Sequence, residues 1–207
     1  MGKLLYLNRD MFAEFIQDID KLKVRKMTHE QIRLMFKVLC TGAFRITEVL
    51  NLVPEDIMRD GKLRLRYTKG GRKKCKCSKW TYRPLKMVSV DADCTRCHGT
   101  GKYMTEQFGW IQEDILQELK QLAATKRMGE RLFPLGRHQV LNYANELMGA
   151  RTHTFRHTYA TWMKEKKELD IFDIQAKLRH TNINTTQIYL QKNPDINRKK
   201  ESEVMRV

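Results

Sequence analysis

The chain has 207 residues, 41% of them hydrophobic, and its 40 lysines and arginines against 24 aspartates and glutamates leave a net charge of +16. That length suits one ordinary domain, or one domain with an arm, and the apolar fraction is enough for a real core. No apolar run is long enough to span a bilayer, and none follows a basic start as a signal peptide would. The expectation is a soluble, folded, intracellular protein. Its excess positive charge suits a polyanion, nucleic acid ahead of a membrane surface. Charge that merely keeps the chain soluble is the plainer alternative.

In chain order, Phe12, Phe15, Ile16, Ile19 and Leu22 recur at threes and fours and predict an amphipathic helix. Thr28 followed by Gln31 predicts a capped start to a second helix, which Gly42 interrupts. A third passes through Ile46, Val49 and Leu50 and ends before Pro54. The period then changes to alternation, with Leu63, Leu65 and Tyr67 on one side and Arg64, Arg66 and Thr68 on the other. Gly70-Gly71 is expected to turn the chain, and Trp80 to Val90 contains a second strand-like run. Helix returns after Thr105, with Ile111, Ile115, Leu119 and Leu122 on one face. Another runs from about Arg137 to Met148 and stops at Gly149. Phe155, Tyr159, Trp162 and Met163 mark the next, Ile171, Ile174 and Leu178 a shorter one, and Asn184 caps a last helix through Tyr189. The predicted fold class is mainly α with a small antiparallel β-sheet (α+β).

Five cysteines are few for a secreted disulfide scaffold of this length. Cys40 falls in an apolar helical stretch and is expected in the core. The other four form two pairs, Cys75-x-Cys77 and Cys94-x-x-Cys97, spaced as the ligands of a closed tetrahedral structural zinc site. The second pair, followed by His98-Gly99-Thr100-Gly101, resembles one repeat of the chaperone-type zinc fingers, which implies zinc but not chaperone activity. Two disulfides, or four free thiols, are the alternatives, and His98 is an alternative ligand to one thiolate.

Three segments far apart in sequence carry phosphate-friendly residues. In Thr41–Leu52, Arg45 and Glu48 stand one helical turn apart, so that the carboxylate can hold the guanidinium. In Thr152–Thr161, His153 and Arg156 share a face at a spacing of three. In Leu178–Tyr189, His180 precedes a turn and Tyr189 follows on the next helix. Each alone has an ordinary explanation, as a surface ion pair, a chance spacing or a core tyrosine. Together they resemble the tyrosine recombinase family, or phage-type integrases, over roughly Thr28 to Leu190.

That resemblance implies a site-specific DNA recombinase or integrase that breaks and rejoins DNA through a covalent 3′-phosphotyrosyl intermediate. Arg45 and Arg156 would clamp the phosphate, since a planar guanidinium matches two oxygens and never deprotonates. His180 would be a third donor, Tyr189 the nucleophile, and Glu48 a support for the clamp. His153 would accept the tyrosine proton or position the phosphate. A hairpin lysine acts as general acid in the family; Lys69, ending the first strand at the turn, is the choice, with Lys73 and Lys74 as neighbouring alternatives. No ATP and no catalytic metal are expected. The partners implied are double-stranded DNA and a homo-tetramer assembled on two duplexes, in the cytoplasm of a prokaryotic cell and encoded on a mobile element such as a virus or plasmid.

Two departures from the family stand out. Arg45 lies three residues after Gly42 where the family more often has two, and the usual Leu-Gly-His is Leu178-Arg179-His180; neither removes a catalytic side chain. Residues 1–207 are expected to form one catalytic domain without a separate N-terminal core-binding domain, and 72–103 a zinc-knuckle-like insertion in or beside the β-hairpin. Two other functions remain open at this point: a type IB-like topoisomerase, and a non-catalytic zinc-bearing DNA-binding regulator on a recombinase scaffold.

Overall fold

Buried aromatic rings organise the helical part of the chain. The computed structural model describes residues 6–66, 72–80, 87–95, 98, 100–104, 107–151, 153–165 and 170–179. Helix α1 (Arg9–Asp18) starts at Asn8, whose side chain accepts from the Met11 N–H at 2.8 Å, and runs into a 3-10 turn at Ile19–Lys21. Helix α2 (His29–Thr41) opens with the expected reciprocal cap, as Thr28 and Gln31 each accept the other's backbone N–H. It packs against α3 (Ile46–Leu50), α4 (Glu113–Ala124) and α6 (Thr154–Glu165), so its apolar residues are enclosed on several sides. Phe15, Phe36 and Phe155 bring α1, α2 and α6 together, with ring centroids 4.8–5.6 Å apart.

Two further helices complete the described part. Helix α5 (Arg137–Met148) ends at Gly149 in the left-handed conformation, φ 64°, as the sequence predicts. Helix α7 (Ile171–Leu178) packs on α6. The segment before α1 is tied to α6 by buried polar bonds: the Leu7 N–H donates to Thr158 Oγ1 at 2.8 Å, and Trp162 Nε1 donates to the Leu7 carbonyl at 3.0 Å. Cys40 is fully enclosed in the core, as expected. No helix among the described residues is long and apolar enough to cross a membrane.

The strands correct the sequence-based expectation. Instead of one hairpin, three two-stranded antiparallel pairs are nested among the described residues: β1 (Leu63–Leu65) with β6 (Gln107–Gly109), β2 (Arg72–Lys74) with β5 (Lys102–Met104), and β3 (Ser78–Trp80) with β4 (Met87–Val90). The chain after β1 therefore makes a long excursion and returns to pair beside its starting point. Alternation in sequence marks strands but not their partners. Residues 107–109, expected within a helix begun after Thr105, are strand, and α4 starts only at Glu113. The Gly70-Gly71 turn and the helix expected from Asn184 lie outside the described residues.

At the base of this excursion Leu63 and Leu65 point into the core, and Gly109 faces Leu63. Glycine is needed there by a close approach. A methyl group at Gly109 would lie 2.2 Å from Phe44 Cε1, and one at Gly42 would lie 1.9 Å from Phe44 Cε2. The buried Phe44 ring thus occupies the space that two glycines leave open. Gly109→Ala is expected to destabilise the fold by about 1–3 kcal/mol through overpacking. Urea unfolding checks this, and an unchanged midpoint would mean that the ring does not sit against the β1–β6 base.

Candidate active site and cysteine cluster

The turn between α2 and α3 sets the geometry. Gly42 closes α2, and Ala43 adopts a left-handed conformation, φ 52°, that is uncommon without glycine. The Ala43 carbonyl thereby accepts two guanidinium groups, from Arg156 Nη1 at 2.6 Å and Arg179 Nη2 at 3.3 Å. Arg156 reaches it from the first turns of α6 and donates through Nη2 to the carbonyl of Leu178, the last residue of α7, at 2.5 Å. Only 2% of Arg156 is exposed.

Arg45 occupies the N-cap position of α3, and Glu48 lies three residues on. One oxygen of Glu48 accepts the Arg45 backbone N–H at 2.8 Å, and the other accepts Arg45 Nη1 at 2.6 Å. The Glu48 carboxylate is fully buried, while the Arg45 side chain keeps 21% exposure. The oxygen that caps α3 also receives Arg179 Nη2 at 2.8 Å. A continuous hydrogen-bonded chain therefore runs from Arg156 through the Ala43 carbonyl and Arg179 to Glu48 and Arg45. Two guanidinium groups share the one carboxylate and a third, Arg156, is held by main-chain carbonyls, which leaves excess positive charge in a poorly hydrated place.

Burial pulls the Arg179 guanidinium below its ordinary value, with Glu48 opposing the shift and Arg45 adding to it. The neighbouring Tyr159 phenol is pushed up by burial, with Arg179 opposing. A phenol so placed is poorly suited to ionise. His153 is exposed and immediately precedes α6, one turn from Arg156, and its carbonyl accepts the His157 N–H at 2.9 Å. The structure thus brings Arg45, Glu48 and Arg156 into one network and sets His153 at the head of the same helix as Arg156. Lys69, His180 and Tyr189 lie outside the described residues.

Arg179 is the member that sequence reasoning missed. Its signal was present as the arginine between Leu178 and His180, which reads as a tolerable departure until the tertiary contacts are seen.

The excursion carries the second feature. Sulfur atoms of Cys75, Cys77 and Cys94 lie within 4.8 Å of one another. Cys75 Sγ and Cys94 Sγ are 3.7 Å apart. A tetrahedron with metal–sulfur bonds of about 2.3 Å has an edge of about 3.8 Å. This donor set therefore fits a thiolate-bound metal ion. The cluster is held by main-chain bonds: the Cys75 N–H donates to the Gly101 carbonyl at 2.9 Å, and the His98 N–H to the Cys94 carbonyl at 2.8 Å. Gly101 has φ 67°, which turns the chain back toward Cys75. The exposed His98 is not part of the sulfur cluster, and Cys97 lies outside the described residues. Cys40 stands apart in the core, where burial pushes its thiol up.

Residues 6–195 match the sequence model of the phage integrase family. Among curated proteins, the chain is similar to tyrosine recombinase XerH of Helicobacter pylori, 22% identical over 199 residues, or 89% of this chain and 47% of that one. It therefore spans about half the length of that relative. The fold is similar to the catalytic domain of bacteriophage HP1 integrase, with TM-score 0.59 at 16% identity over 91% of this chain and 88% of that one. It is likewise similar to XerH crystallised on its palindromic difH substrate as a post-cleavage complex, with TM-score 0.63 at 19% identity over 99% of this chain and 53% of that one.

Glu48→Gln keeps the shape of the side chain but removes the charge that Arg45 and Arg179 share. The expected cost is on the order of 2 kcal/mol, because charge-assisted hydrogen bonds become bonds to a neutral acceptor. Chemical denaturation measures it, and a wild-type unfolding free energy would show that the carboxylate is not what holds the two guanidinium groups.

Proposed function

The chain belongs to the phage integrase family, whose model covers residues 6–195, and on that premise we propose that it is a site-specific DNA recombinase or integrase. It breaks and rejoins DNA through a covalent 3′-phosphotyrosyl intermediate, without ATP or a catalytic metal. The observation that carries this reading is the arginine network, in which guanidinium groups outnumber the carboxylate that holds them. Attack on a phosphodiester gathers negative charge on the non-bridging oxygens. Preorganised guanidinium groups in a low-dielectric site stabilise that charge with little reorganisation.

In this reading Tyr189 Oη attacks phosphorus while the bond from phosphorus to the 5′-oxygen breaks. Lys69 protonates the departing 5′-oxygen, and His153 accepts the tyrosine proton or positions the phosphate. Arg45 and Arg156 bind the non-bridging oxygens, with His180 as a third donor and Glu48 holding Arg45. Rejoining reverses the sequence: a 5′-hydroxyl attacks the phosphotyrosine and releases Tyr189. Four protomers act on two duplexes, in the manner of the family, with double-stranded DNA as the substrate. The covalent bond conserves the energy of the cleaved one, so no nucleotide hydrolysis is required.

Residues 1–207 form one catalytic domain in this proposal, and residues 72–103 an insertion whose four cysteines, Cys75, Cys77, Cys94 and Cys97, hold a structural zinc ion. Closed four-thiolate coordination leaves no position for water or phosphate, so the metal orders the segment and takes no part in the chemistry. Lys73, Lys76, Lys79 and Lys102 are exposed around the cysteines, which supports a DNA-gripping role for this surface.

Two experiments test the proposal. A nicked duplex carrying a site selected from a random-sequence library by covalent capture with the wild-type chain should yield a protein–DNA adduct. Tyr189→Phe should abolish that adduct while leaving DNA binding nearly intact, and Arg45→Lys should lower its yield by about 100-fold or more, since a point charge cannot replace a bidentate fork. Failure of the wild-type chain to form any adduct would sink the reading, and an undiminished adduct in Tyr189→Phe would move the nucleophile elsewhere. Elemental analysis should find one zinc per chain, and Cys94→Ser with Cys97→Ser should weaken DNA binding in a folded protein. Metal-free protein with full activity would reduce the cysteines to incidental thiols.

A further inference from the structure

Arg179 combines two unfavourable features in one residue. It caps α7 in the left-handed conformation, φ 53° and ψ 44°, where its N–H bonds back to the carbonyls of Ala176 and Gln175. Glycine takes that conformation freely, while a residue with a Cβ pays about 1 kcal/mol. The side chain then buries a guanidinium, with 10% of it exposed, against the desolvation that disfavours its charge. A helix end alone requires neither feature, so the side chain has a task that outweighs both.

Its contacts define that task. Through Nη2 it bonds the Glu48 carboxylate at 2.8 Å, which also holds Arg45, and the Ala43 carbonyl at 3.3 Å, which also holds Arg156. Its guanidinium carbon lies 5.2 Å from the centroid of the Phe44 ring, whose place is set by Gly42 and Gly109. The side chain therefore spans the end of α7, the α2–α3 turn and the base of the β1–β6 pair.

We propose that Arg179 is a positioning residue of the phosphate clamp, fixing Arg45 relative to Arg156 by sharing an acceptor with each of them. This rests on the recombinase reading of the same site. Glu48 and Arg45 alone would be a neutral pair, with the guanidinium drawn toward its own carboxylate. Adding Arg179 divides the attraction of Glu48 between two cations and leaves net positive charge for a phosphate. A lysine at 179 would supply charge but not a planar group that bonds Glu48 and the Ala43 carbonyl while lying over Phe44.

The test uses the covalently captured duplex and measures the first-order rate of adduct formation at saturating DNA, with binding and thermal unfolding measured separately. Arg179→Gly relieves the backbone strain, which offsets part of the lost bond to Glu48, so the chain should stay folded although its unfolding midpoint falls. The cleavage rate should nonetheless fall by about 10-fold or more, with DNA affinity within about 3-fold of wild type. Arg179→Lys should recover part of the rate, and it carries the test if the glycine variant does not fold. The deciding readout is additivity: Arg179→Gly should slow a Glu48→Gln chain little further, because both act through one arrangement. A wild-type cleavage rate in folded Arg179→Gly, or rate losses that multiply in the double variant, would overturn the proposal while leaving the recombinase reading intact. Absence of any wild-type adduct would instead remove that reading itself.

Discussion

One buried carboxylate organises the site. Glu48 caps the five-residue helix α3 through the Arg45 N–H and bonds the side chains of Arg45 and Arg179. A lone carboxylate removed from water would be costly, and so would two lone guanidinium groups. Held together they satisfy one another while retaining a surplus of positive charge. The short helix, the α2–α3 turn and the end of α7 are mutually dependent for this reason. Arg156 extends the same network by donating to the Ala43 carbonyl on the turn and to the Leu178 carbonyl at the end of α7.

The backbone around this carboxylate is shaped to serve it. Ala43 takes a left-handed conformation, its carbonyl accepts two arginines, and Phe44 fills the space beside Gly42 and Gly109. A hydrophobic contact thereby links a polar site to the strands on which the long excursion stands. At the start of that excursion Arg66 Nε donates to the buried carboxylate of Asp56 at 2.5 Å, which ties the chain leaving β1 to the turn at Pro54–Asp56. Cys75 is a buried side chain between the strands β2 and β3 of that excursion. A metal ion at the thiolate cluster would cross-link Cys75 and Cys77 to Cys94, which lies on the far side of the β3–β4 pair in the chain.

The helical elements were largely legible before any coordinates. Thr28 and Gln31 announce a capping box because both bonds are local, and Gly149 announces a stop because left-handed backbone favours glycine. The Arg45–Glu48 pair was legible for the same reason, since a spacing of three on a helix start brings the two groups together. The cysteine spacing likewise foretold a cluster, and the structure gathers Cys75, Cys77 and Cys94. Each of these signals spans only a few residues.

What tertiary structure alone decided involves partners far apart in the chain. Alternation at Leu63 and Leu65 identifies a strand, but its partner lies more than forty residues on, and nothing local distinguishes the run at Gln107–Gly109 from the start of a helix. The arginine at 179 was visible as a substitution for a small residue, yet its meaning depends on Glu48, 131 positions earlier. Sequence thus determined the local helix signals, the charge and the chemical inventory, because these are set by short-range hydrogen bonding and residue type. The pairing of the strands and the sharing of one carboxylate by two arginines arose only on folding, because burial makes long-range contacts between charges both costly when unmatched and strong when matched.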